Sequence, residues 1–277
     1  MSWPPPMRDE GVGPTASEQT PVPPVRPNPP ARPGTNRHVP PLTGIGLVYR
    51  IVLRQLVSRG RLIALGVLAL LAPIAGFALG ASDSATTEDG VRLIAGLGFA
   101  VVIPVVALVF GTASIGDLRD DKTLLYVWLR PLDRWPVVVG AFLAALTLTA
   151  PLTLVPVVAA AALTDAGSGI VSGTLIAGAV GVVAYVAVFT LFGVWLRRAT
   201  VWGLAYILIW EGFIAQAGPG VARFALRKYT RSILVERTGV ELDLADFSLV
   251  IGVTVPLVAA VLFLALATRR LDRLDVD

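Results

Sequence analysis

Glu211 lies inside a long apolar stretch, in the run Trp210-Glu211-Gly212. A carboxylate at membrane depth is expensive, about 2.5–3.5 kcal/mol on insertion scales when central and ionised. It therefore faces a bundle interior or water and finds a partner. Two roles fit: a gating or substrate-contacting group, or an interfacial glutamate that caps a helix or pairs with an arginine of the loop that follows. A second cluster of charge occupies Gly111–Trp135, reading GTASIGDLRDDKTLLYVWLRPLDRW. Asp117, Asp120 and Asp121 precede Arg130 and Arg134, with Leu124, Leu125, Val127 and Trp128 between them. Such a segment suits either a helix lying on the membrane surface or a knob for a soluble partner, and the Arg130-Pro131 step disfavours further helix.

Other chemistry is narrowly bounded. Cysteine is absent and the single histidine, His38, sits in the N-terminal tail, so thiolate sites, a histidine-based triad, zinc and haem sites are excluded from the apolar part. The only lysines are Lys122 and Lys228, and no G-x-x-x-x-G-K-[ST] phosphate loop occurs. No apolar stretch holds two acids or a histidine, so an intramembrane enzyme lacks its nucleophile and base. We assign no catalytic residue, no cofactor and no metal ligand.

The elements that position Glu211 and the charged segment are membrane helices. Hydrophobic residues make up 55% of the chain and charged residues 15%, against about 45–50% and 25% in soluble domains. Mean hydropathy is +0.74. Residues 1–43 form a Pro-rich tail (Pro4-Pro5-Pro6, Pro23-Pro24, Pro29-Pro30, Pro40-Pro41) with too little apolar surface to fold, and they are expected to be disordered. Residues 44–277 hold apolar runs long enough to span a bilayer, which takes about 20 residues of helix. Six are expected, at 62–80, 91–111, 135–163, 170–196, 201–217 and 247–268, preceded by a short amphipathic stretch, Gly44–Arg61. Unbroken apolar runs rather than alternation select helix over barrel, so the fold class is an all-α membrane bundle.

Arginine placement predicts orientation. With the N-terminus inside, six spans return the C-terminus to the same side, and the cytoplasmic connections carry Arg50, Arg54, Arg59, Arg61, Arg119, Lys122, Arg130, Arg134, Arg197, Arg198, Arg269, Arg270 and Arg273. The net charge of +4 is thus read as basic loops on the cytoplasmic face of a plasma membrane, not as a nucleic-acid surface. Residues 218–246 dissent, since they are external in this scheme yet hold Arg223, Arg227, Lys228, Arg231 and Arg237. The helical spacing of Val221, Phe224, Ala225 and Leu226 against Arg223, Arg227 and Lys228 predicts an amphipathic helix on the outer surface. Small residues, including Gly173, Gly178 and Gly181, suit close helix packing within one chain or across a dimer.

The charged segment, Asp117-x-Arg119-Asp120-Asp121-Lys122-Thr123-Leu124-Leu125 followed by Arg130-Pro131-Leu132-Asp133-Arg134-Trp135, resembles the corresponding stretch of ABC-2 type transporter permeases. There an acidic-basic run, a T-L-x-x-L segment and a Pro-x-x-Arg turn link the second and third helices. Tyr206–Tyr229 resembles the same permeases, which show a Y-x-x-x-W-E pattern before a basic-aromatic loop and short helices that dip back into the outer leaflet. The resemblance implies an ABC-2 exporter-like bundle over roughly 44–277, in which Asp117, Arg119, Asp120, Lys122, Leu124, Leu125, Arg130 and Arg134 couple to a separate ABC ATPase subunit. It implies a second permease protomer, in a homo- or heterodimer, and export of a substrate that the sequence does not identify. A secondary transporter is disfavoured, because the two halves of the chain do not repeat each other. A non-transporting membrane scaffold or assembly subunit is the alternative.

Overall fold

The computed structural model describes residues 40–120, 134–214, 223–240 and 247–273, together with 1, 220 and 242. The Pro-rich tail beyond Met1 lies outside these residues up to position 39, as do Lys122, Leu124, Leu125 and Arg130.

Helix α1, Pro41–Leu56, opens on a proline at its first position, where the missing N–H has no partner to lose. Its buried residues, Gly44, Val48, Val52 and Leu56, recur every fourth position, while Arg50 and Arg54 stay exposed. This stripe packs on α5, Arg134–Leu163, closely enough that a Cβ at Gly140 would lie 3.0 Å from the Cβ of Val48. Helix α2 covers Arg59–Gly80. Next come α3, Thr87–Leu93, a π-helical stretch π1, Ile94–Val102, and α4, Ile103–Asp120, in one continuous rod. Helix α6 covers Ser168–Trp195 and α9 covers Leu249–Asp272.

Among the described residues, five helices are long and apolar enough to cross a membrane: Arg59–Gly80, Thr87–Asp117, Arg134–Leu163, Gly169–Trp195 and Leu249–Asp272. They agree within a few residues with the runs read at 62–80, 91–111, 135–163, 170–196 and 247–268. Pro73, Pro151, Pro156 and Pro256 sit inside them, as membrane helices allow when neighbours re-satisfy the freed carbonyls.

The run at 201–217 departs from expectation. Its helix comprises α7, Ala199–Ala205, and a π-helical stretch π2, Tyr206–Glu211. At 1.5 Å per residue these cover about 20 Å, short of the roughly 30 Å of hydrocarbon. The outer-surface helix expected near 221–228 is also corrected. Residues 223–224 form a turn, and α8 runs over Leu226–Thr238 with Lys228, Thr230, Ser232, Ile233 and Leu234 buried.

Both short pieces lie antiparallel to α6. Gly203 and Tyr206 meet Phe189, and Glu211 meets Tyr185. Past the break, Thr230 meets Gly181 and Arg237 meets Gly173 and Gly169. The two half-helices therefore run in succession along α6, whose 28 residues measure about 42 Å. The glycines of α6 that face α8 make room for it: a Cβ at Gly169 would stand 2.7 Å from the Arg237 carbonyl oxygen, and one at Gly173 would stand 3.0 Å from the Arg237 Cβ. Gly178 instead admits Leu154 of α5. Small residues on α6 thus serve packing within this chain.

Gly173→Val is expected to wedge α8 off α6 and to destabilise the protein by about 1–3 kcal/mol, the usual penalty of overpacking. A thermal unfolding scan in detergent reads this directly, and an unchanged midpoint would show that α8 does not depend on that seat.

Candidate functional site

Where the half-helices meet, backbone geometry creates a demand. A helix start leaves N–H groups without partners, and in lipid each such group is costly. Ala225, the residue before α8, has extended backbone and provides no side-chain cap. The deficit is met from π2. Its wide turn, in which the Gly212 N–H donates to the Ile207 carbonyl at 3.1 Å, sets Tyr206 and Glu211 on one face. Glu211 Oε1 accepts from the Leu226 N–H at 3.2 Å and from the Tyr206 hydroxyl at 3.0 Å, and Oε2 accepts from the Tyr185 hydroxyl at 2.5 Å.

Glu211 is only 4% exposed. Its contacts join π2, α6 and the first residue of α8, so one carboxyl group ties both half-helices to the central helix. Aromatic rings wall it in. Tyr185 stacks on Phe189, and Tyr206 meets Phe189 and Phe192 edge-on, with centroids 6.0–6.2 Å apart. Further along α8, Lys228 is also buried and lies over the Phe247 ring at 4.7 Å. Tyr229 stacks on that ring at 5.0 Å and its hydroxyl donates to the Arg223 carbonyl at 2.6 Å. The dissenting basic loop is therefore partly interior: Lys228 is buried and Arg227 and Arg231 are half-buried, leaving Arg223 and Arg237 exposed.

The residues of the charged segment gather elsewhere. Asp117 pairs with Arg61 of α2 at 3.3 Å. Arg134, at the start of α5, donates to the Leu271 carbonyl at 2.5 Å and lies 3.8 Å from Asp272. Arg119 and Asp120 belong to the last turn of α4. Both ends of the segment are thus moored to one end of the bundle, which we term the arginine-rich end because Arg197, Arg198, Arg269, Arg270 and Arg273 also cluster there. At the opposite end, Thr86 and Asp89 form a capping box at the start of α3, and Glu88 pairs with Arg92. Glu211 is not part of the arginine-rich end. Tyr185, Tyr206 and the Leu226 N–H were not visible as partners in the sequence, since Tyr206 and Glu211 are five apart, a spacing that pairs side chains only on a π-helix.

Compared with known proteins, the chain matches no family model and no curated protein. Its fold and hydropathy define a multi-pass α-helical membrane protein.

Glu211→Ala would strip the acceptor from two tyrosine hydroxyls and one backbone N–H. Each buried group left unpaired costs about 1–3 kcal/mol. The alanine variant should therefore unfold at clearly lower temperature in detergent, with Glu211→Gln falling between it and the parent. Equal midpoints for all three would remove the carboxyl group from its tying role.

Proposed function

We propose that this chain is the permease subunit of an ATP-driven transporter of the ABC-2 type. It exports a substrate, as yet unidentified, across the plasma membrane, with ATPase subunits supplied in trans. The observation that carries this reading is the mooring of the family-like segment. Its first end is tied through Asp117 to Arg61 of α2, and its second through Arg134 to the end of α9. Force applied to residues 112–134 is delivered at once to α2, α4, α5 and α9. That is what a connection receiving ATP-driven closure from a soluble partner requires.

The positive-inside rule puts the arginine-rich end in the cytoplasm. α7, π2 and α8 act together as one broken crossing, the fifth of six, which leaves both termini cytoplasmic. The buried Lys228 and half-buried Arg227 and Arg231 weaken the objection that the fifth connection is too basic to lie outside. Two protomers and two ATPase subunits form the working unit. Closure of the ATPases pushes on 112–134, and the broken crossing, hinged at Glu211, yields as the bundle opens outward.

Affinity purification of the tagged chain in mild detergent, with mass spectrometry of what accompanies it, tests the proposal. A stoichiometric ABC ATPase is expected, and Arg119→Glu or Leu125→Asp should abolish its association while the protein stays inserted. A chain that purifies without an ATPase would favour a scaffold. In transport assays Glu211→Gln should lower the rate at unchanged expression; an unaltered rate would confine Glu211 to structure.

A further inference from the structure

At the arginine-rich end, α6 and α9 part to leave a groove of about 290 Å³ lined by Leu191, Trp195, Leu266, Arg269, Arg270 and Arg273. The lining is two helical stripes. Leu191 and Trp195 are four apart on α6, and positions 266, 269, 270 and 273 fall on one face of the final turns of α9. Leu191 is buried and forms the floor, while Leu266 is 49% and Trp195 56% exposed, large apolar surfaces left beside three guanidinium groups. Among the described residues none of the three arginines is in an ion pair. The acid between them in sequence, Asp272, is engaged by Arg134 instead.

We infer that this groove binds one anionic phospholipid, with its phosphate among Arg269, Arg270 and Arg273. The upper part of an acyl chain lies along Leu266 and Leu191, and the Trp195 indole sits at the headgroup boundary. Each part of the ligand has its counterpart. Planar guanidinium forks match phosphate oxygens, and an exposed tryptophan at a helix end belongs at the interface between hydrocarbon and headgroups. Basic pockets between the ends of membrane helices are the usual seats of anionic headgroups. A free anion would use the arginines but would leave the Leu266 and Trp195 surfaces uncovered. A zwitterionic lipid would cover those surfaces but leave net positive charge unmatched. An anionic lipid satisfies both.

The test uses the full chain, delipidated in detergent and offered phosphatidylglycerol or phosphatidylcholine, with bound lipid counted by native mass spectrometry. Selective retention of one phosphatidylglycerol is expected. Replacing Arg269, Arg270 and Arg273 with glutamine should weaken it by roughly fivefold per arginine. Glutamine at Arg50, Arg54 and Arg59, which removes equal charge outside the groove, should leave it intact. Leu266→Trp, which fills the groove and keeps every charge, should also lose the lipid. As a readout independent of these variants, brominated phosphatidylglycerol should quench the part of the fluorescence that Trp195→Phe removes, and brominated phosphatidylcholine should not. Equal retention of the two lipids, or equal loss from both glutamine triples, would overturn the inference as diffuse charge attraction. Displacement of the lipid by millimolar inorganic phosphate alone would overturn it in favour of a simple anion site.

Discussion

A polypeptide that stops being helical inside a membrane must find partners for its freed backbone groups within the protein, because lipid offers none. Here that constraint falls on the start of α8. Ala225 brings no capping side chain, and Glu211, a residue fifteen positions earlier on another element, accepts from the Leu226 N–H in its place. The same carboxyl oxygens accept from Tyr185 and Tyr206. Much else follows from this. The wide turn of π2 aims Glu211 inward, glycines on α6 let α8 approach, and aromatic rings close off the carboxyl group.

The molecule thereby separates two tasks along its length. At the arginine-rich end, a half-buried ion pair at 3.3 Å and a more exposed one at 3.8 Å hold helix ends. Pairs of this kind contribute modestly to stability, up to about 1 kcal/mol when exposed. Around Glu211 the polar contacts are buried, where each is worth more and is costly to lose.

How legible was this in the sequence? The five long helices were, because each is a single apolar run of about 20 residues or more, the length a bilayer crossing takes. Glu211 could also be singled out, since one acid among apolar neighbours has few reasons to exist. The helix at 201–217 was misjudged in its length. Hydropathy registers apolar character, and Gly212–Ile214 stay apolar after the helix has ended at Glu211. α8 was misplaced for the opposite reason. Arg223, Arg227 and Lys228 read as a solvent face, and only packing against α6 and Phe247 makes the stretch from Leu226 on interior. Tyr185 carried no signal, being one more aromatic residue in an apolar helix. Partnerships set by tertiary structure leave no local pattern, and the π-helical register hid the one partnership that was close in sequence.

The helices also differ in how far their neighbours enclose them. In the most apolar stretch of α6, 72% of residues are buried within the protein, against 22% in α2 and 17% in α9. This asymmetry bears on evolutionary divergence. Lipid accepts any apolar side chain of about the right bulk, so α2 and the outer face of α9 are free to drift among leucine, isoleucine, valine and phenylalanine. α6 meets a partner on nearly every side, and its glycines and alanines are held to that size by the backbones they touch. Descendants of this sequence should therefore remain recognisable longest along α6, and lineages that have lost all overall similarity would still share its spacing of small residues.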